Sequence, residues 1–134
     1  NKDNGQNYFN PRITFEQLKS TSDNIIATTA CLGSPIWQLY KKAHKENDEV
    51  SESYLNDLLL WIKDNKHRVF LEIQYHNHPE QIEYNRLLLR LSHETGAPLI
   101  AGTDTHALNQ EHAEARKVLL KAKNPTYGDQ DSFD

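Results

Sequence analysis

Side chains that can bind metal ions follow three separate apolar segments of the chain. Cys31 comes after the first segment, His76 and His78 come after the second, and Asp104 and His106 come after the third. Thiolate, imidazole and carboxylate groups are common protein ligands of zinc-like and manganese-like ions. Because alternate residues of an extended segment project to the same side, Asp104 and His106 are expected to reach one ion together. The pattern therefore predicts a metal site.

Each of these residues also has a purely structural interpretation. A lone cysteine at the end of a strand is most often a small buried hydrophobic residue. His76 and His78 lie in a turn before Pro79, where surface and helix-capping roles are common. An Asp-x-His triplet alone is equally compatible with a capping aspartate beside an exposed histidine. The choice between these readings depends on the elements that hold the residues.

Three short strands and five helices are predicted along the chain. Strands are expected near residues 24–29, 68–74 and 98–101, where apolar and β-branched residues cluster. Helices are expected after the N-cap residues Thr14, Ser34, Ser51 and Asn109, and from Pro79 to a terminating Gly96. On the helix that begins at Pro79, inward-facing positions are assigned to Ile82, Leu88, Leu89 and Leu91.

The alternation of strands and helices predicts an α/β fold with parallel strands and helical crossovers. Three strands cannot close a barrel, so the segment is interpreted as an arc of one or as part of an open sheet. In such folds the active site collects at the carboxyl ends of the strands. Cys31, Asp104 and His106 each follow a strand in this way.

The net charge, the cysteine content and the apolar segments of the chain limit the kinds of function and partner to be expected. The net charge of −4 gives no reason to expect a nucleic-acid-binding surface on this segment. The chain has a single cysteine, which excludes an internal disulfide and fits a reducing cytoplasm. The sequence contains no long apolar segment, so a membrane partner is not expected. The chain contains no methionine, even at position 1, so we expect it to begin inside a longer reading frame.

Five blocks in order resemble the PHP (polymerase and histidinol phosphatase) domain of bacterial DNA polymerase III alpha subunits. The resemblance extends to about residue 123. The blocks are Phe9–Ile13, Ile25–Gly33, Phe70–Gln74 with His76, Pro79–Gln81 and Pro98–Leu108.

The resemblance implies a distorted (β/α)7 TIM-like barrel with divalent ions (Zn, Mn or Fe) at the strand carboxyl ends. It implies Cys31, Asp104 and His106 as metal ligands, whereas Glu72 and His76 lie in a characteristic block without an assigned role. Residues 1–12 are interpreted as an extended arm, 13–108 as the C-terminal part of the barrel, and 109–134 as an exit helix with a polar tail. The remaining ligands are expected upstream of residue 1, so this piece alone is expected to be inactive and to lack the full metal cluster.

Three functions are compatible with the resemblance. In the first, the intact domain is a metal-dependent phosphoesterase, a 3′–5′ exonuclease within a DNA-directed DNA polymerase that contacts DNA and other replisome subunits. In the second, the domain is a non-catalytic scaffold that stabilises the polymerase and docks a proofreading exonuclease. The third is a stand-alone phosphatase resembling histidinol phosphatase, against which Cys31 and the Pro79–Gln81 block argue.

Overall fold

The computed structural model describes residues 12–75 and 77–123. Its elements follow the predicted order of helices and strands. They are α1 (Phe15–Lys19), β1 (Ala27–Thr28), α2 (Pro35–Lys45), α3 (Glu49–Asp64), β2 (Val69–Gln74), α4 (Pro79–Thr95), β3 (Leu99–Gly102) and α5 (Gln110–Lys123). The chain divides into two compact units, the first ending at Gly102 and the second beginning at Thr103.

The three strands form a parallel sheet in the order β1-β2-β3, as the sequence predicts. Ala27 of β1 lies opposite Val69 of β2, and Gln74 at the end of β2 lies opposite Gly102 of β3. The central strand is therefore paired on both edges. Within the described residues the sheet has three strands, and a closed barrel is not formed by them.

The core of the first unit lies between the sheet and the helices α2, α3 and α4. α2 packs against α3, and α4 packs against β2. Trp37, Leu71, Tyr84 and Leu88 are fully buried, and the Trp37 and Tyr84 rings lie 5.3 Å apart between centroids. Burying a leucine side chain such as that of Leu71 or Leu88 stabilises the fold by roughly 1.5–3 kcal/mol. Trp37 is thus a packing residue.

The predicted helix ends are largely confirmed. Thr14 and Gln17 form a reciprocal capping box, and the Ser34 side chain accepts a hydrogen bond at the start of α2. Gly96 ends α4 in the left-handed conformation with a φ of 79°, and the Asn109 side chain caps α5. None of the helices in the described part of the chain is long and apolar enough to cross a membrane.

The prediction that Ser51 caps a helix is wrong. α3 begins at Glu49, and Asp48 is its N-cap, since the Asp48 carboxylate accepts a hydrogen bond from the backbone N–H of Val50 at 3.2 Å. Ser51 lies in the first turn and donates to the other Asp48 oxygen at 2.6 Å. A carboxylate three residues earlier therefore takes the capping role and adds a favourable charge at the helix N-terminus.

The inward face of α4 also differs from the prediction. Leu88 and Leu91 are buried, but Ile82 and Leu89 are exposed. The buried stripe passes through Tyr84, Leu88 and Leu91, which follow the three- and four-residue spacing of one helix face. Ile82 and Leu89 are rotated out of that stripe, so hydrophobic type alone assigned them incorrectly.

The first strand is shorter and more exposed than the apolar run predicts. Pairing with β2 begins only at Ala27, and both Ile25 and Ile26 are exposed. The Ile25 N–H donates to the Ser22 carbonyl at 2.9 Å, and the Ile25 carbonyl accepts from Arg68 at 3.1 Å. These hydrogen bonds hold Ile25 in a turn, so the strand begins only at Ala27.

Candidate functional site

The candidate ligands follow the strand ends closely, as the sequence predicts. β1 ends at Thr28 and leads within three residues to Cys31. β3 ends at Gly102, and Asp104 follows two residues later. Because the strands are parallel, their carboxyl ends share one edge of the sheet, which is the edge used for chemistry in α/β folds.

Cys31 lies in a tight turn between β1 and α2. The thiol is free and partly buried, and the Ser34 N–H donates to the Cys31 carbonyl at 2.9 Å. Ala30, the residue before it, has a φ of 53°, a conformation that costs energy for a residue with a Cβ. A side-chain carbon added at Gly33 would lie 3.7 Å from the Cys31 sulfur, which is ordinary van der Waals contact. The backbone thus holds Cys31 in a strained and specific turn.

Asp104 and His106 meet in the second unit. The His106 Nε2 lies 3.2 Å from the Asp104 Oδ1, with side-chain exposures of 50% and 33% respectively. The two side chains thus lie close together, although the backbone at Asp104 is not extended. Asp104 has a φ of 48°, a left-handed backbone conformation that aspartate adopts more readily than most residues. An accessible carboxylate–imidazole pair of this kind can bind a divalent cation.

Within residues 12–75 and 77–123, no three His, Cys, Asp or Glu side chains come close enough together to hold one metal ion. His78 caps α4, since its Nδ1 accepts from the Glu80 N–H at 3.2 Å, and this matches the capping interpretation. His76 lies outside the described residues. The metal roles of Cys31, Asp104 and His106 therefore stay predictions.

A polar pair on β2 was not assigned a role from the sequence. The Gln74 Nε2 donates to the Glu72 Oε2 at 2.8 Å, and the Glu72 N–H donates to the Thr29 hydroxyl at 2.9 Å. A side-chain carbon at Gly102 would lie only 2.5 Å from the Glu72 carboxyl carbon, so a larger residue there would require the Glu72 carboxylate to shift. Gln74 is only 2% exposed. The signal in the sequence was the Glu-x-Gln alternation at the end of an otherwise apolar strand.

Asn85 of α4 fixes the end of β2. Its Nδ2 donates to the Gln74 carbonyl at 2.6 Å, and its Oδ1 accepts from the Gln74 N–H at 3.3 Å and from the Gln81 Nε2 at 2.9 Å. The Asn85 amide thus pairs with both the N–H and the carbonyl of Gln74, as the backbone of a neighbouring strand would. These bonds hold the backbone of Gln74, and with it the Glu72–Gln74 pair, in one position.

Two buried polar atoms in this region have no hydrogen-bond partner among the described residues, the Gln74 Oε1 and the Tyr84 hydroxyl. Burial raises the pKa of Tyr84, and the nearby hydroxyls of Ser34 and Thr29 oppose that rise without reaching hydrogen-bonding geometry. Unsatisfied buried polar atoms are uncommon in native proteins and often mark a site for water, an ion or a ligand. The Gln74 Oε1 and the Tyr84 hydroxyl therefore have unused hydrogen-bonding capacity within the described residues.

The chain is similar to replicative polymerases over most of its length. It is 34% identical over 119 residues to the DNA polymerase III subunit alpha of Thermus aquaticus, a match that covers 89% of this chain. The corresponding protein of Aquifex aeolicus is 34% identical over 118 residues, and a DNA-directed DNA polymerase of Bacillus phage SPbeta is 32% identical over 119 residues. No protein-family model matches the chain.

The matches are to one segment of much larger proteins. The chain spans about 9% of the length of the relatives it matches. Their shared description and the extent of the matched region support the interpretation of this chain as a fragment of that subunit. The chain is thus similar, over more than four fifths of its length, to a single segment of DNA polymerase III alpha subunits.

Proposed function

We propose that this chain is the C-terminal part of the PHP domain of a DNA polymerase III alpha subunit. The intact domain is a distorted (β/α)7 barrel and a metal-dependent phosphoesterase that acts as a 3′–5′ exonuclease. The observation that supports this most directly is the Asp104–His106 pair, whose side chains meet at 3.2 Å immediately after β3.

The residues present fit the metals that the resemblance implies. The support is that the Asp104 carboxylate and the His106 imidazole lie 3.2 Å apart and that both side chains are partly exposed. Carboxylate and imidazole donors suit Zn, Mn or Fe, and the resemblance implies the Cys31 thiolate as a further ligand of the metal cluster. A bound ion would supply activation of water for attack on a phosphodiester. The proposed role of the three residues is metal binding.

The whole protein is proposed to act on DNA as a DNA-directed polymerase, together with other replisome subunits. The support is that the relatives from Thermus aquaticus, Borreliella burgdorferi and Deinococcus radiodurans are described as DNA polymerase III subunit alpha. A domain that has lost its metals would instead be a scaffold that docks a separate proofreading exonuclease. Metal content and nuclease activity distinguish these two functions.

The first test is elemental analysis of the full natural polypeptide that contains this chain. It is compared with a variant carrying Cys31→Ala, Asp104→Ala and His106→Ala, and with a matched variant carrying His112→Ala on α5. We expect Zn, Mn or Fe at one or more ions per molecule in the natural protein and in the His112 variant. We expect the metal content of the triple variant to fall.

A nuclease assay on single-stranded DNA then tests the activity. We expect 3′–5′ degradation that depends on metal and is lost in the triple variant. A polypeptide that holds no metal before or after reconstitution would contradict the exonuclease function and leave the scaffold. Metal binding without degradation would restrict the metals to a structural role.

A further inference from the structure

An open apolar groove lies among helices α1, α2 and α3 of the first unit. Its lining includes Phe15 and Leu18 of α1, Leu39 of α2, and Tyr54 and Leu58 of α3. We call this surface the α1–α3 groove. Its volume of about 350 Å³ falls within the range of about 300–1,000 Å³ that is typical of binding pockets. The groove is therefore large enough to accept side chains of a partner.

The α1–α3 groove leaves apolar side chains in contact with water. Phe15, Leu18 and Leu39 pack against the core but are only partly buried by it. Ile13 and Tyr54, which also line the groove, are 66% and 57% exposed. A contiguous apolar surface with a polar rim is a mark of interaction sites on proteins. Covering this surface would remove apolar area from water, which favours association.

An acidic depression adjoins the groove on α3. It is lined by Glu49, Val50, Ser53, Tyr54 and Asp57, so Tyr54 is shared by both surfaces. Glu49 and Asp57 are exposed, and neither forms an ion pair within residues 12–75 and 77–123. Charges on the two sides of an interface are usually complementary. A partner that enters the groove is therefore expected to bring a positive charge to the acidic depression.

The charges around the two surfaces favour a polypeptide over a phosphate-bearing partner. Among the described residues that line them, the charged side chains are Glu49 and Asp57. Lys19 lies 4.4 Å from the centre of the Phe15 ring, but Glu16 pairs with it at 3.0 Å and offsets its charge. A nucleic acid or an anionic lipid surface would place phosphates beside the two carboxylates and be repelled. A lysine or arginine would be attracted there.

We propose that the α1–α3 groove binds an amphipathic segment of a separate protein. The segment places apolar side chains in the groove and a lysine or arginine beside Glu49 and Asp57. Apolar anchors in a groove between helices, with charges at its rim, are a recurrent mode of peptide recognition. The surface requires none of the three proposed metal ligands, so it goes beyond the proposed function.

The test is a fluorescence anisotropy titration of a labelled peptide with the full natural polypeptide that contains this chain. The probe is a peptide of about 15 residues, long enough to form a helix, with leucine at every third or fourth position and lysine elsewhere. A control peptide keeps the leucines and replaces each lysine by glutamate. We expect saturable binding of the lysine peptide and binding of the glutamate peptide that is weaker by about tenfold or more.

Two double variants distinguish the groove from general attraction between opposite charges. Tyr54→Ser with Asp57→Asn removes the side chain shared by both surfaces and one carboxylate, and we expect it to weaken binding of the lysine peptide by about tenfold or more. Leu60→Ser with Asp64→Asn is the matched control, because it changes an exposed leucine and an exposed aspartate of α3 that line neither surface. It should bind as the natural protein does. Circular dichroism shows that both variants are folded.

The proposal is overturned if the natural polypeptide does not bind the lysine peptide, or if the two folded double variants bind it equally well. Binding that appears only after Tyr8→Ser with Phe9→Ser would assign the groove to the N-terminal segment of the chain itself and would also overturn the proposal. The same holds for a dimer in sedimentation that dissociates on Tyr54→Ser with Asp57→Asn, since a second copy would then occupy the groove. The metal content of this double variant should equal that of the natural protein, so the result is independent of the proposed metal centre.

Discussion

A buried polar side chain lies at each end of strand β2, Arg68 immediately before it and Gln74 as its last residue, and the two differ in how their hydrogen-bonding groups are satisfied. At the amino end, Arg68 is 3% exposed and donates five hydrogen bonds to Thr21, Ser22, Ile25 and Asn65. At the carboxyl end, Gln74 is equally buried, yet its Oε1 has no partner among the described residues.

The difference separates a structural site from a site with unused capacity. The Arg68 guanidinium fastens the turn before β1 to the sheet, and its flat face lies 5.3 Å from the centre of the Trp61 ring. Its buried charge is stabilised by oxygen acceptors that are fixed in place. The carboxyl end also contains fixed and hydrogen-bonded groups, but among the described residues the Gln74 Oε1 has no donor. Saturated hydrogen bonding therefore indicates a stabilising role, whereas the orphaned Gln74 Oε1 leaves hydrogen-bonding capacity unused.

The largest change in the free energy of unfolding is expected from removing the Arg68 guanidinium, whose hydrogen bonds are saturated. Arg68→Met should destabilise the chain by about 3 kcal/mol, because several carbonyl and hydroxyl acceptors lose a charged donor in a buried environment. Urea denaturation followed by circular dichroism measures the change. Arg86→Met, on the exposed face of α4, is the control and should change stability by less than about 0.5 kcal/mol. A cost for Arg68→Met as small as that of the control would remove the contrast between the two ends.

The steric fit at the carboxyl end gives the next effect. Gly102→Ala should be destabilising in the natural background, because the new carbon forces the Glu72 carboxylate away from Gln74. In a Glu72→Ala background the same substitution should be neutral or slightly favourable. We expect a coupling free energy of about 1–2 kcal/mol in this double-mutant cycle. Additive effects would show that the carboxylate does not occupy the space above Gly102.

Tyr84→Phe tests the second orphan atom. Because the buried Tyr84 hydroxyl has no hydrogen-bond partner among residues 12–75 and 77–123, its removal should leave the chain as stable as before or more stable by up to about 1 kcal/mol. Thermal denaturation of this variant beside Tyr54→Phe, which changes an exposed tyrosine, measures the difference. A loss of more than about 1 kcal/mol would mean that the hydroxyl makes a stabilising bond.

The smallest effect concerns an ion pair away from both ends. A hydrogen bond from Lys41 and a second from the Trp37 indole lower the pKa of Glu80 below its usual 4.5. A lowered folded-state pKa contributes stability above the unfolded value, and that stability is lost as the pH falls through the folded value.

Glu80→Gln should therefore reduce stability at neutral pH and flatten its decline below about pH 4.5. Since Glu80 is about one third exposed, the change should be a few tenths of a kcal/mol. Denaturant midpoints measured from pH 3 to pH 7 test this, with exposed Glu94→Gln as the control. An unchanged pH profile in Glu80→Gln would show that the Lys41 contact is not formed in solution.

Local sequence signals predicted much of the fold. The capping box at Thr14, the Ser34 N-cap and the Gly96 terminus each depend on neighbouring residues, so they could be identified without the tertiary structure. The order of strands and helices was equally clear, because each element has its own apolar period. Where two local signals competed, as at Asp48 and Ser51, the sequence did not show which would cap the helix.

Burial was harder to predict than secondary structure. Ile25 and Leu89 are as apolar as their buried neighbours, yet both are exposed. Exposure depends on the element packed opposite, and Ile25 belongs to a turn that Arg68 holds from a distant part of the chain. No local period contains that information.

For the candidate site, the sequence by itself identified the side chains that follow each strand, because active-site residues of parallel α/β folds lie at the carboxyl ends of the strands. It also brought Asp104 and His106 together, since two residues separated by one position need only a turn to meet. The tertiary structure decided the environment of Glu72. That environment depends on the pairing of Gln74 with Gly102, on the reach of Asn85 from α4, and on Thr29 from the preceding strand. Those groups are separated along the chain, so their juxtaposition exists only after the sheet and helix have packed.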